Sequence, residues 1–121
     1  MASIFLDVNE LISLIKDERN DIWGGLQKQR LVVSVLSWHI VCYLLKWKVP
    51  HDKLSDLYDS LVSVEMKRSV VKRAMEGPTD DFEDNVQLHC AVEAECDYFL
   101  TLDKKLLSMK YFGKMVICDR L

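Results

Sequence analysis

Short apolar runs, too brief to be helices, alternate along this chain with longer stretches in which apolar residues recur every three or four positions. Ser3 to Leu6, Leu31 to Val35, Leu61 to Glu65, Tyr98 to Thr101 and Met115 to Cys118 are the short runs, and their β-branched and aromatic content predicts strands. Helical spacing marks Leu11 to Ile15, Ser37 to Lys48, Asp52 to Ser60, Lys67 to Glu76 and Asp81 to Glu95, with a short basic helix from Lys104. Pro50 and Gly77-Pro78 supply stop signals, and Gly24-Gly25 precedes the second strand. The predicted order is β-α-β-α-α-β-α-α-β-α-β. Strands apolar on both faces and separated by helices argue for an α/β fold: a central, mostly parallel sheet of four to five strands between two helical layers. All βα junctions then fall along one edge of that sheet, where open α/β sheets bind ligands.

The chain's 121 residues are half hydrophobic and include only two prolines and four glycines, which fits one globular domain over residues 1–121 rather than a disordered or repetitive chain. The longest unbroken apolar run, Ile40 to Leu45, is far below the ~20 residues a membrane helix needs. Asp7, Asn9 and Glu10 interrupt the apolar N-terminus and no basic segment precedes it, so a secretory leader is not expected. Cys42, Cys90, Cys96 and Cys118 form neither a CxxC pair nor a secreted-scaffold spacing, and they read as core thiols of a cytoplasmic protein. His39, His51 and His89 do not stand at zinc-ligand spacing from any cysteine.

Three carboxylates fall where the strand order puts a site: Asp7 after the first strand, Asp103 after the fourth, and Asp84 in the first turn of the preceding helix. Taken singly, each also suits a helix cap or a first-turn partner for a helix dipole. Taken together they would repel, at ~4 kcal/mol per pair for a ~4 Å separation and an effective dielectric of ~20. A divalent cation relieves that repulsion, and hard carboxylate oxygens without sulfur or imidazole suit Mg²⁺ or Mn²⁺. Such an ion can activate water and stabilise charge on phosphoryl oxygens, the two requirements of phosphodiester hydrolysis.

Phe5-Leu6-Asp7-Val8-Asn9-Glu10-Leu11 resembles the opening "LDxN" strand of PIN domains, and the segment from Asp81-Phe82-Glu83-Asp84 through Tyr98-Phe99-Leu100-Thr101-Leu102-Asp103 resembles their "DFEDALQ…A…GADYxxTxD" stretch. The resemblance implies a PIN-like α/β/α sandwich and a metal-dependent endoribonuclease, of the kind found as the toxin in VapBC-type toxin-antitoxin pairs. By position it implies Asp7, Asp84 and Asp103 as catalytic metal-site acids, with Asn9 and Thr101 in support. It also implies an antitoxin partner and a homodimer. A fourth acid usual in PIN domains, within "S-x-L-[ST]-x-x-E", is absent: Ser34-Val35-Leu36-Ser37-Trp38-His39-Ile40 places Ile40 there. Glu10, Glu83 and His39 are the residues near enough in sequence to substitute for it. A second reading follows from Ile40, a PIN-like domain with weakened catalysis that binds protein or RNA. A receiver-like phosphorylation domain is a poorer match, because Met66 rather than Asp follows the third strand.

The helix from Ser37 carries apolar residues on two faces, Trp38, Val41, Cys42 and Leu45 on one and Ile40, Tyr43, Leu44 and Trp47 on the other. One covers the sheet, and the aromatic second face is suited to a partner. Lys67, Arg68, Lys72 and Arg73, with Lys104 and Lys105 after Asp103, are candidate RNA contacts. The formal net charge of −3 does not oppose an RNA partner: with the three site acids set aside, 16 acidic residues balance 16 basic ones.

Overall fold

The computed structural model describes the backbone of residues 1–121 and the side chains of all of them except residues 20–22. Strands β1 (Ser3–Leu6), β2 (Arg30–Ser34), β3 (Val62–Val64), β4 (Tyr98–Leu100), β5 (Tyr111–Phe112) and β6 (Met115–Cys118) alternate with helices α1 (Val8–Ile15), α2 (Asn20–Leu26), α3 (Val35–Leu45), α4 (Asp52–Ser60), α5 (Arg68–Glu76), α6 (Phe82–Glu93) and α7 (Lys104–Leu107). The strands form one sheet in the order β3-β2-β1-β4-β6-β5, parallel except for the β5–β6 pair.

The two-sided apolar strands split their side chains between two cores. Phe5, Val32, Phe99 and Ile117 face α5 and α6 with Val70, Ala74, Val86 and Leu88. Ile4, Leu6, Val33 and Leu100 face the other way, onto Leu11 and Ile15 of α1, Trp23 and Leu26 of α2, and Val41 of α3. Alternation along single strands thus builds a three-layer α/β/α sandwich. At its centre Phe5 and Phe99, paired in register across β1 and β4, stack with ring centroids 5.3 Å apart and planes 12° from parallel.

Three local expectations are corrected. The sheet has six strands rather than four to five, because Tyr111–Phe112 folds back on Met115–Cys118 as a hairpin. Its two-residue loop, Gly113 and Lys114, is one in which Gly113 takes a φ of 62°, a conformation glycine adopts without steric cost. Gly24 and Gly25 lie inside α2, a helix absent from the predicted order; burial of Trp23 and Leu26 overrides the poor helix propensity of glycine there. The α3 helix stops at Leu45 rather than Lys48, since Lys46 turns into the left-handed region (φ 55°) and its N–H closes on the Cys42 carbonyl. No helix among the described residues is long and apolar enough to cross a membrane.

Because Phe99 is fully buried in the central stack while Tyr111 is largely exposed, Phe99→Ala should cost ~3–5 kcal/mol and Tyr111→Ala under ~0.5 kcal/mol. Urea unfolding of the two variants checks this, and equal losses would contradict the assignment of the core.

Candidate functional site

The strand order reverses at β1. The chain passes from β1 outward through β2 to β3, then returns to place β4 on the other flank of β1. Such a switch point leaves a crevice at the carboxyl ends of the two central strands, and both strands end there on acids. Leu6 pairs with Leu100 in register, so the residues just beyond, Asp7 and Thr101, stand side by side. The Thr101 hydroxyl donates to Asp7 Oδ2 at 2.8 Å and accepts from the Asp103 N–H at 3.0 Å. One buried threonine therefore ties two of the expected acids together.

Each acid is also held by the start of a helix. Asp7 Oδ1 accepts from the Val8 N–H at 2.8 Å at the head of α1. Asp103 Oδ1 accepts from the Lys105 and Leu106 N–H groups at the head of α7. Asp84 lies in the first turn of α6, which Asp81 caps by accepting the Asp84 N–H. Asp7 and Asp103 are thus helix caps, while Asp84 is a first-turn residue behind the Asp81 cap.

Burial, more than mutual repulsion, raises the carboxyls at this edge. Asp7 is buried, and burial pushes its carboxyl up to about 6, against the Thr101 and Val8 hydrogen bonds and with further upward pressure from Glu83 and Asp103. Asp84 is also raised to about 6, first by burial and then by the negative charges of Asp81, Asp7 and Asp103, with Lys105 opposing. Glu83 is raised by burial and by Asp81 and Asp84. Asp7, Asp84, Asp103 and Glu83 thus share one neighbourhood of like charge. Among the described residues, no three His, Cys, Asp or Glu side chains converge closely enough to enclose an ion as they stand. The donor set has the hard-oxygen chemistry of a divalent-cation site, arranged as an open edge rather than a closed cage.

The residues weighed as a fourth acid are placed very differently. Glu10 turns into the interior and pairs with Arg19, whose guanidinium also donates to the Asp119 carbonyl. Burial raises the Glu10 carboxyl and Arg19 lowers it, and the charges raising Asp7 and Asp84 do not include it. Glu83 and His39 instead line a groove with Asn9 and Ile40, beside the acids. The candidate cations also divide. Lys105 donates to Asp80 at 2.6 Å. Lys67 and Arg73 pair with Glu93, which lies nine residues along α6 from Asp84, a rise of ~13 Å. Arg68, Lys72 and Lys104 are exposed.

Two buried polar residues of α6 build the support that sequence reading did not single out. Asn85 accepts from the Thr79 N–H and hydroxyl and donates to the Ala74 and Thr79 carbonyls, fixing the loop ahead of α6. Gln87 accepts from the Ser34 hydroxyl at 2.8 Å and donates to Ser37 at 3.1 Å, fixing α6 against the start of α3. The available signal was an amide at each of two positions of an otherwise apolar helical face.

The raised Asp7 carboxyl has a consequence for stability. Unfolded, the group titrates near 3.8; folded, near 6. Its contribution is therefore complete below pH 3.8 and is lost as the pH rises to about 6, a fall of about 3 kcal/mol. Asp7→Asn should be more stable than the parent at pH 7.5 by roughly 2–3 kcal/mol and should flatten this part of the profile. Urea unfolding between pH 4 and 7.5 measures both, and a parent protein whose stability rises through this interval would contradict the assignment.

The sequence matches no protein-family model and no curated protein. Solved structures do match. VapC20 of Mycobacterium tuberculosis, a Sarcin-Ricin loop cleaving toxin, superposes with a TM-score of 0.66 at 14% identity, over 93% of this chain and 98% of that one. VapBC2 of Rickettsia felis, bound to a DNA fragment from its promoter, gives a TM-score of 0.67 at 10% identity over 95% and 96%. At these identities the likeness is one of fold, and the chain has the VapC-like PIN-domain fold.

Proposed function

We propose that residues 1–121 act as one domain, a toxin-like endoribonuclease that hydrolyses RNA phosphodiester bonds with Mg²⁺ or Mn²⁺ in the cytoplasm. One observation carries the reading: β1, α6 and β4 bring Asp7, Asp84 and Asp103 to the same sheet edge, where burial first and neighbouring negative charge second raise the Asp7 and Asp84 carboxyls. Uncompensated, that arrangement is costly, and a cation compensates it. The fold shared with VapC20, which cleaves the Sarcin-Ricin loop, supports RNA as substrate. The likeness to VapBC2 supports an antitoxin-like protein as partner.

Asp7, Asp84 and Asp103 would hold the ion. Bound there, it would supply an activated water and neutralise charge on the phosphoryl oxygens. Thr101 sets the orientation of Asp7 and, through the Asp103 N–H, the turn that presents Asp103. At neutral pH the carboxyls raised to about 6 are mostly ionised and available as ligands.

Purified protein should cleave single-stranded RNA with Mn²⁺. Asp7→Asn, Asp84→Asn and Asp103→Asn should each reduce the rate beyond the ~10–100-fold that loss of an outer-shell partner costs. Full activity in Asp84→Asn would defeat the mechanism.

A second reading rests on Ile40, which lines the groove where the fourth acid of PIN domains would be expected: a domain with weakened catalysis that binds protein or RNA. Ile40→Glu separates the two. A rate changed by less than ~10-fold means three acids suffice, whereas a gain above ~100-fold identifies an enzyme limited by the missing carboxylate.

A further inference from the structure

We infer that the groove beside the acids is a nucleobase pocket, and that it takes an unstacked guanine of single-stranded RNA next to the cleaved phosphodiester. This rests on the nuclease reading for its RNA context, but its own basis is the lining. The groove encloses about 470 Å³, within the ~300–1,000 Å³ usual for small-ligand sites. It lies near the acid edge: Glu83 of its lining acts on the Asp7 carboxyl, and Val8 and Asn9 of its lining follow Asp7 at the head of α1.

Ile40 and Leu44, one turn apart on α3, form an aliphatic floor. Tyr43 is 75% exposed and His39 is exposed beside it, so both rings are open to stacking, the interaction on which splayed RNA bases settle. An acid at position 40 would have charged this floor; isoleucine makes it a surface for a base.

Charge selects which part of a nucleotide can enter. Glu83, an acceptor-only carboxylate, lines the groove and repels phosphate, so the base rather than the backbone occupies it. Guanine is the base whose Watson–Crick edge carries two adjacent donors, N1–H and the N2 amine, which match the two oxygens of a carboxylate. Adenine and cytosine set an acceptor beside their amine, and uracil flanks its single N–H with carbonyls. Within a duplex these edges are paired, which restricts the pocket to unpaired RNA.

Guanosine, inosine and adenosine, which lack phosphate and so need no cation, provide the test by amide-resolved NMR titration of the whole chain. Guanosine should bind about tenfold more tightly than inosine, which lacks the N2 amine. Tyr43→Ala should weaken both nucleosides and keep their ratio, and Glu83→Gln should abolish the ratio. Guanosine binding without any Mn²⁺-dependent RNA cleavage would leave the pocket standing and remove the nuclease reading. RNA cleavage with equal nucleoside affinities would do the reverse and overturn the pocket. The pocket is also overturned if Glu83→Gln keeps the ratio but loses the thermal shift produced by Mn²⁺, which assigns Glu83 to the ion. It is equally overturned if Tyr43→Ala dissociates a dimer and leaves guanosine binding unchanged, which assigns the groove to a protein interface.

Discussion

The lateral pairing of β1 with β4, 94 residues apart at the Thr101–Asp7 bond, is the constraint on which the rest of the molecule depends. It places Phe5 against Phe99 in the middle of the core, and it brings two acids to adjacent strand ends. A parallel pair of this separation forms only when the intervening helices have somewhere to pack. The two cores, one on each face of the sheet, provide that. The apolar centre and the charged edge are thus two ends of the same pair of strands, and the burial that stabilises one offsets the repulsion concentrated at the other.

Apolar burial holds α6 against the sheet, and polar chemistry fixes its rotation. Asn85 bonds the Thr79 loop ahead of the helix through its acceptor and its amide, and donates also to the Ala74 carbonyl of α5, while Gln87 bridges to Ser34 and Ser37 at the turn from β2 into α3. Fully satisfied buried networks are directional in a way that aliphatic contacts are not. They set the rotation of α6, and with it the direction in which Glu83 and Asp84 leave the helix. The same network holds the first turn of α3, so the groove containing Ile40 and the acid edge share one support.

Most of this architecture can be read along the sequence because its strands are apolar on both faces and the candidate acids stand near strand ends and in a helix's first turn. Asp7 and Asp103 needed only the strand assignment, whereas Thr101 came from the resemblance to PIN domains. What stayed hidden depends on contacts distant in sequence. The α2 helix contains two glycines and exists because Trp23 and Leu26 find a core. The two residues of β5 carry too little pattern to count as a strand alone. Lys67, Arg73 and Lys105 look like free cations in the sequence, yet each meets a carboxylate at least twenty residues away. Glu10 and Glu83 are equally plausible acids on paper. Only the fold turns the first inward to Arg19 and the second outward to the groove.

The pairing of Lys105 with Asp80 bears on how this edge meets a polyanion. This edge carries Asp7, Glu83, Asp84 and Asp103 together, and of the two lysines that follow Asp103, Lys105 is engaged by Asp80 while Lys104 is exposed. A surface of that sign offers a polyanion a repulsive approach, strongest in dilute salt where the screening length is longest. On the nuclease reading, a cation at these acids would remove that repulsion and leave the exposed Lys104, next to Asp103, as the side chain that meets phosphate.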